Sequence, residues 1–236
     1  MRLLAAITFL VACGHHDEAK PCTKPTSHLE VVEVDDNSAY MKSVYAHVGS
    51  DRNNQPTDPA ATAAGVSALI DSWTVTETKA GMELRGARQI DYYLLAADRG
   101  ALEKYLATLA SPPSDHRVVL EHVMPLPDAK ERRAMWRTYY VSTTKVIDET
   151  AIASANAIEP DDKRILHPSV SMKFTPTGQA AFAEATAKHV GHKLATIVDG
   201  DVVIAPVING PIKGGAITLS MPSTSAAEQL LKRLGC

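Results

Sequence analysis

The chain has 236 residues with a formal net charge of −3, and 22% of its residues are charged. Apolar residues make up 45% and aromatic residues 5%. This is an ordinary globular composition with a core built mainly of Val, Leu, Ile and Ala, long enough for one large domain or two small ones. No cluster of Lys and Arg stands out, so the sequence argues against a nucleic-acid partner.

The first thirteen residues have the pattern of a bacterial export signal. Arg2 supplies a positive charge, and residues 3–12 form an apolar run that is too short to span a bilayer. The run ends in a lipobox, the processing motif of bacterial lipoproteins, formed by Leu10, Val11, Ala12 and Cys13. The motif predicts a signal peptide over residues 1–12 and acylation of Cys13, which would anchor the chain stably in a lipid bilayer. An ordinary signal peptide with a chance Cys is the alternative.

Residues 13–28 are polar and contain two prolines, so they are predicted to form a flexible tether. Gly14 follows Cys13, and in the enterobacterial sorting pattern this residue, unlike Asp, favours the outer membrane over the inner one. No later stretch reaches 18 apolar residues, so no membrane span is predicted after the signal peptide. The sequence therefore predicts a lipid-anchored protein of the cell envelope that faces the periplasm.

Two cysteines follow Cys13, at opposite ends of the mature chain. Cys22 and Cys236 could form a disulfide in an oxidising compartment, because chain termini often lie close together in space. The alternative is that Cys236 stays unpaired. The sequence leaves the two possibilities open.

Residues 29–124 alternate between strand and helix patterns and predict an α+β domain. Strands are predicted at 29–34, 73–77, 82–84, 90–97 and 118–123, with a turn at 80–81. The predicted helices follow Ser38, span residues 60–72, and begin after Asp98. Residues 125–130, which contain two prolines, are predicted to be the boundary to a second unit.

Residues 130–236 predict a second α+β unit. Strands are expected at 138–146, 170–174, 194–198, 202–208 and 216–221, with a strand or short helix at 148–158. Thr175 is the predicted N-cap of a helix that has Pro176 at its first position and Gly191 just past its end. Asp199 and Gly200 predict a tight hairpin turn. A capping box from Ser225 to Glu228 is expected to open the last helix.

The stretch from Val170 to Leu219 resembles the head of the first periplasmic domain of SecD and SecDF, accessory membrane proteins of Sec-dependent export. The matching positions, in an ungapped order, are Gly178, Phe182, Thr186, Gly191, Leu194, Ala195, Ile197, Val198, Asp199, Gly200, Ala205, Pro206, Val207, Ile208, Pro211, Ile212, Gly214 and Gly215. Residues 29–124 could correspond to the base of the same periplasmic domain. The resemblance implies an α+β fold with mixed or antiparallel sheets and helices packed on one face. The proton-driven role of that family depends on transmembrane helices, so it is not transferred.

A binding edge is the candidate site. Pro within a predicted strand indicates a sheet edge or a bulge. An edge beside a glycine-rich loop could accept an extended peptide by strand addition, which suits a family that handles preproteins. The candidate residues are Ala205, Pro206, Val207, Ile208, Gly214 and Gly215. A purely fold-determining role for the same residues is the alternative.

No catalytic, nucleotide-binding or metal-binding motif was found, so no enzyme activity, cofactor or metal is predicted. His189 and His192 are separated by the helix-ending Gly191, and packing at the helix end explains them better than metal ligation. Two functions stay open. The first is a non-catalytic envelope lipoprotein that binds unfolded or exported polypeptide and assists export or envelope assembly. The second is a structural lipoprotein that docks on one folded envelope protein.

Overall fold

A computed structural model describes residues 20–23, 25–51, 55–79, 82–123, 133–160 and 167–236. The predicted signal peptide, Cys13, Gly14, the turn at 80–81 and the boundary at 125–130 lie outside the described residues. The helices are α1 (Ala39–Val48), α2 (Pro59–Ala64), α3 (Arg99–Leu106), α4 (Pro176–Lys188) and α5 (Thr224–Leu234). The strands are β1 (Lys20–Pro21), β2 (Leu29–Val34), β3 (Ser67–Lys79), β4 (Met82–Ala96), β5 (His116–Val123), β6 (Met135–Asp148), β7 (Ile152–Ile158), β8 (Ser169–Phe174), β9 (Leu194–Val198), β10 (Asp201–Ile204) and β11 (Ala216–Ser220).

Five strands close into a barrel. The larger sheet has the order β2-β9-β10-β5-β6-β4-β3, and β2 also pairs with β6, which closes the ring. The length of β6 makes this possible, because one of its edges pairs with β5 while the other pairs with β4 near its start and with β2 near its end. The paired strands β3 and β4 extend from the barrel as a long antiparallel hairpin.

Inward-facing residues fill the barrel in an apolar layer between two charged ends. The apolar layer consists of Val32, Val34, Val119, Tyr139, Val141, Ala195, Ile197 and Val202, with at least one residue from each of the five strands. At one end Glu30 pairs with Arg117. At the other end Asp91 of β4 pairs with Arg137 and Lys193. The period of two along each strand places these charges in line with the apolar residues.

The barrel carries one layer on each of two sides. On one side α1, α2 and α3 pack on β4, β5 and β6 through residues that include Met41, Leu94, Leu102, Leu120 and Tyr140. On the other side lies an antiparallel sheet of order β1-β7-β8-β11, accompanied by α4 and α5. Its core joins Leu29, Met172, Phe182, Leu219 and Leu230. The fold is therefore α+β, as the sequence predicts.

Several predicted elements are confirmed in detail. The strand β2 has the predicted bounds, and β8 buries Val170, Met172 and Phe174 as its alternation predicts. Thr175 is the N-cap of α4 and accepts a hydrogen bond from the Gly178 amide. The segment from 148 to 158, predicted as strand or short helix, is both, since a 3-10 turn at Glu149–Ala151 precedes β7.

Three predicted bounds are wrong, each for a local reason. The helix predicted over residues 60–72 ends at Ala64, because Gly65 adopts the left-handed conformation and the apolar run after it pairs with β4. The strand predicted over 202–208 ends at Ile204, because a bulge follows Val202 and Pro206 has no N–H. The last helix is capped by Ser223 rather than by the predicted box at Ser225.

The predicted tether is shorter than the sequence suggests. Of residues 13–28, Lys20–Pro21 pairs with β7 and Cys22 forms a disulfide with Cys236. The amide of Thr26 then donates to the carbonyl of Arg233 at 2.6 Å. The region from 20 to 28 is thus attached to the folded domain by a short strand, a covalent bond and hydrogen bonds.

The two predicted units share one sheet. Strands β2, β3, β4 and β5 come from residues 29–124, whereas β6, β9 and β10 come from residues 130–236, and strands of the two sets are intermixed within the larger sheet. The division at 125–130 stays a prediction. The shared barrel nevertheless means that the segments before and after it contribute to the same apolar interior.

Candidate functional site

The hairpin between β9 and β10 turns at Asp199 and Gly200. Both residues have positive φ, 51° and 91°, as a two-residue hairpin turn of this hand requires. The Asp199 side chain also fixes the preceding chain, since its Oδ1 accepts hydrogen bonds from the Ser27 hydroxyl at 2.8 Å and the His28 amide at 2.9 Å. The turn predicted from the sequence is therefore joined to the segment that leads to the N terminus.

The candidate edge follows the end of β10. One side of this segment is occupied, because the Pro206 carbonyl accepts from the Leu194 amide at 3.3 Å and the Ile208 amide donates to the His192 carbonyl at 2.9 Å. Val207 forms an isolated antiparallel bridge with Lys193. In this pattern the amide and carbonyl of Val207 point to the opposite side, and no described residue is bonded to them.

The two candidate glycines lie further along the same connection, just before β11. The Gly215 carbonyl accepts from the Phe174 amide at 2.8 Å, and its α-hydrogens face the Gln179 side chain. Gln179 in turn donates to the Lys213 carbonyl at 2.8 Å. These contacts tie Gly214 and Gly215 to the junction of β8 and α4, which supports a fold-determining role for them.

Gly191 shows why a glycine is needed where α4 leads into β9. Its φ is +86°, and a Cβ at this position would lie 2.4 Å from a methyl group of Val75 in β3. The Trp73 indole donates to the Gly191 carbonyl at 2.8 Å. The backbone of the loop after α4 is thus in close contact with the side chains of Trp73 and Val75 in β3.

A buried charge cluster lies beneath this loop, and the sequence analysis missed it. The Lys193 ammonium is 2.6 Å from Asp91, and the same Asp91 oxygen accepts from Arg137 at 2.6 Å. The Lys193 side chain is only 5% exposed and its Nζ lies 4.4 Å from the Trp73 ring centre. Burial raises the pKa of the Glu121 carboxyl, although the Tyr139 hydroxyl donates to it and opposes the shift. The cluster closes the barrel end with paired charges.

Beside the cluster a surface groove of about 400 Å³ runs between the end of α4 and the barrel. We call it the acid–histidine groove; it is lined by Glu33, Val34, Asp35, Asp36, His116, Ser142, Lys188, His189 and His192. Each histidine lies near at least one carboxylate, and His116 has a second one, Asp115, at 3.0 Å. His189 is 2.6 Å from Glu33, His192 is 3.6 Å from Asp36, and His116 is 4.0 Å from Asp35.

Asp36 is the unusual member of the groove. Its side chain is fully buried, its Oδ2 accepts from the Lys193 amide at 2.9 Å, and its Oδ1 has no partner among the described residues. Burial raises the pKa of this carboxyl to about 7, and the nearby Lys193 charge only partly offsets the shift. The groove therefore contains a carboxyl that changes its charge near neutral pH.

No group of three or more His, Cys, Asp and Glu side chains in the described part of the chain has a geometry that could hold a metal ion. No described helix is both long and apolar enough to cross a membrane.

A spacing of two residues in the sequence indicates part of the buried charge cluster. Arg137, Tyr139 and Val141 alternate along β6, and Lys193, Ala195 and Ile197 alternate along β9, as residues on one face of a strand do. The sequence alone does not show that both faces are inward-facing in one barrel. Asp91 joins the cluster from a third strand, and no sequence signal indicated that contact.

We call the end of the barrel at Asp91 and Lys193 the open end, because a groove and a chain segment with unused backbone groups reach the surface there, although buried charges fill its interior. This end combines three features: the segment 205–208, the acid–histidine groove and the contact between Gly191 and β3. In this arrangement the Val207 backbone groups that no described residue bonds and the acid–histidine groove lie on the same end of the barrel. Residues 123–234 match the family model described as "SecDF, P1 head subdomain". This part of the chain is a SecD/SecDF head-like domain, as the sequence resemblance implies.

Individual relatives agree with the family match. SecDF of Thermus thermophilus is 41% identical over 64 residues, which cover 27% of this chain and 9% of that protein. SecD of Rhodobacter capsulatus is 33% identical over 91 residues, which cover 39% of this chain and 15% of that protein. Both relatives are protein translocase subunits, and this chain corresponds to less than a fifth of the length of either.

Among solved structures, the one titled "Structure and function of a membrane component SecDF that enhances protein export" aligns with 87% of this chain and 92% of its own. The TM-score is 0.36 at 19% sequence identity. The assignment to the head-like class therefore rests on the sequence match of residues 123–234.

Proposed function

We propose that this protein is a cell-envelope lipoprotein, anchored through acylated Cys13, that faces the periplasm and binds extended polypeptide without catalysing a reaction. The observation that carries the proposal is the match of residues 123–234 to the SecDF P1 head subdomain. The lipobox that ends at Cys13 supports the anchor. A role in protein export or envelope assembly follows from the relatives, which are translocase subunits.

The segment 205–208 supports the binding mode. A partner strand needs a row of backbone donors and acceptors that are not already used. Val207 offers one amide and one carbonyl on the side opposite to Lys193. The buried Ile208 and Ile212 anchor the connection on either side of the exposed Asn209, so this edge is held in place by the core.

The test measures binding of a reduced, carboxymethylated polypeptide to the mature protein by fluorescence anisotropy. Val207→Pro removes the free amide and should weaken binding at least about tenfold, whereas Val207→Ala keeps the backbone and should change it little. Thermal unfolding of both variants checks that the fold is retained. Equal binding by the two folded variants would exclude this edge. Incorporation of labelled palmitate, with Cys13→Ala as control, tests the anchor separately.

A second function, docking on one folded envelope protein, is favoured by β3. Among the described residues this 13-residue strand pairs only with β4, and it carries Ile70, whose side chain is 46% exposed. A single stoichiometric partner recovered by crosslinking from cells, together with no affinity for unfolded polypeptide, would favour this function over the first.

A further inference from the structure

At one end of the barrel, several chain segments contact residues 20–28, which precede β2. We call this the tether-side end, and it consists of residues 20–28, the turn at Asp199 and Gly200, and the end of α5. The disulfide between Cys22 and Cys236 joins the first and the last of these segments. It therefore fixes where the N-terminal segment leaves the domain.

Hydrogen bonds continue this attachment on both sides of the disulfide. Before it, Lys20–Pro21 pairs with β7 at Ala155 and Ser154. After it, the Thr23 amide donates to the Gly235 carbonyl at 2.9 Å, and the Ser27 amide donates to the Arg233 carbonyl at 3.1 Å. These bonds also satisfy carbonyl groups at the end of α5 that the helix itself leaves unpaired.

The attachment leaves a short span between the proposed lipid and the domain. Only residues 14–19 separate Cys13 from Lys20. At about 3.5 Å per residue, the span from Cys13 to Lys20 reaches at most about 25 Å when fully extended. A compact domain of about 200 residues has a radius of gyration of about 16 Å and is therefore about 40 Å across. The domain cannot turn freely about such a tether, so one end has to stay near the bilayer.

The pairing of β2 with β9 shows which part of the barrel lies opposite the tether-side end. In the β2–β9 pair Leu29 lies beside Val198 at the tether side, and Glu33 lies beside Leu194 at the other side. The six residues of β2 span about 17 Å between these ends. The segment 205–208 pairs with residues 191–194, so it belongs to the far end, as does the acid–histidine groove.

We propose that the tether-side end is a membrane-facing surface that lies on the lipid bilayer, and that the open end of the barrel points away from it. This inference rests on the proposed acylation of Cys13 and extends it, because it assigns an orientation. The disulfide between Cys22 and Cys236 is the clamp that keeps the tether short. An extended polypeptide then meets the open end on the side of the domain farthest from the lipid.

The test uses vesicles and a fluorescent amino acid at one of two exposed positions. Lys232 lies at the end of α5 on the tether side, and Thr74 lies in β3 next to the residues that contact Gly191 at the far end. The chain beginning at Cys13 is coupled through its thiol to maleimide lipids, since the other two of its three cysteines form the disulfide. Nitroxide groups on the lipid headgroups quench nearby fluorophores.

With the short tether, quenching at position 232 is expected to be at least about threefold stronger than at position 74, because the reach is limited to about 25 Å. Insertion of twelve Gly and Ser residues between Cys13 and Lys20 should bring the ratio close to one. Equal or reversed quenching with the native tether would overturn the orientation. A ratio that the insertion leaves unchanged would overturn the role of the tether.

Failure of the orientation and failure of the anchor are separate results. Coupling to maleimide lipid does not depend on acylation in cells, so the quenching ratio reports orientation alone. Absence of labelled palmitate on Cys13 in cells would remove the proposed lipoprotein function, whatever the quenching ratio.

Discussion

The tether-side end and the open end of the barrel are closed in different ways. At the tether side a disulfide, a two-residue strand and backbone hydrogen bonds join residues 20–28 to α5 and β7. At the open end buried charges close the interior, where Asp91 lies between Arg137 and Lys193. Unused backbone groups at Val207 and the acid–histidine groove lie beside this charge cluster.

The two ends also differ in how their polar groups are used. The tether side uses its polar groups internally, since Asp199 accepts from Ser27 and His28 and also pairs with Arg233. Buried side-chain atoms without a hydrogen-bond partner among the described residues occur at both ends, for example Asp36 Oδ1 at the open end and Arg117 Nε at the tether side. The Val207 amide and carbonyl, which no described residue bonds, lie at the open end. Val207 is half-buried, so its backbone groups are more accessible to a ligand than the fully buried Asp36 carboxyl is.

Loss of the Asp91 carboxylate, which Arg137 and Lys193 share at the open end, is expected to have the largest effect on the free energy of unfolding. Asp91→Ala leaves the side chains of Arg137 and Lys193 buried without it and should lower the free energy of unfolding by about 3–5 kcal/mol. Glu103→Ala removes the partner of Arg99 in an exposed pair and should cost less than about 1 kcal/mol. Urea unfolding of both variants measures the difference. Similar costs would mean that the open end does not depend on its buried charges.

Removal of the disulfide tests the tether side in the same way. The bond joins residues 214 positions apart, so Cys22→Ser with Cys236→Ser should lower the free energy of unfolding by up to about 5 kcal/mol. Cys13→Ser serves as the control and should leave the free energy of unfolding unchanged. If the double variant unfolds at the same urea concentration as the parent, hydrogen bonds alone hold this end.

A pH titration addresses Asp36. Its folded-state pKa of about 7 lies above the ordinary value near 4, so the folded state binds the proton more tightly than the unfolded state does. The stability contribution is therefore complete below pH 4 and is lost as the pH rises to 7. Between pH 5 and pH 7 the loss of this contribution lowers the free energy of unfolding of the parent by about 2 kcal/mol. Asp36→Asn should abolish this decrease.

The same pH experiment needs a control for the neighbouring histidine. His192 lies 3.6 Å from Asp36, so replacing it changes the surroundings of this carboxyl. His192→Gln is therefore introduced with and without Asp36→Asn, and urea unfolding is repeated at both pH values. A change of the unfolding free energy with pH that persists in Asp36→Asn would show that Asp36 is not its source.

The smallest expected difference in stability is between alanine substitutions at two glycines that have similar φ angles, one at each end of the barrel. Gly191→Ala at the open end adds a contact with Val75 to the strain of positive φ, and should cost about 2 kcal/mol. Gly200→Ala at the tether side meets no atom within 4 Å and should cost about 1 kcal/mol. Thermal unfolding distinguishes these values. A larger cost at Gly200 would contradict the close packing of the hairpin on the open end.

Local features were the part of the fold that the sequence could predict. The cap at Thr175, the alternation of β8 and the turn at Asp199 are each determined by residues a few positions apart. The strand character of residues 67–70 was missed, because a short apolar run fits a helix as well until β4 is known to pair with it.

The candidate site was predictable only in part, for a related reason. Pro206 indicated an interruption of the strand, and the structure ends β10 just before it. The closure of the barrel by β2 and β6 depends on contacts between residues more than a hundred positions apart. The cluster around Lys193 follows from that closure, so neither its burial nor its partners could be read from neighbouring residues.

The central claim is that the two ends of the barrel face different surroundings, and photo-crosslinking in intact cells tests it most directly. A diazirine amino acid is placed at exposed Asn209, beside the segment 205–208, or at exposed Lys232 on the end of α5. The account predicts polypeptide adducts from position 209 and lipid adducts from position 232. Lipid adducts from position 209 with polypeptide adducts from position 232, or the same adducts from both, would contradict it.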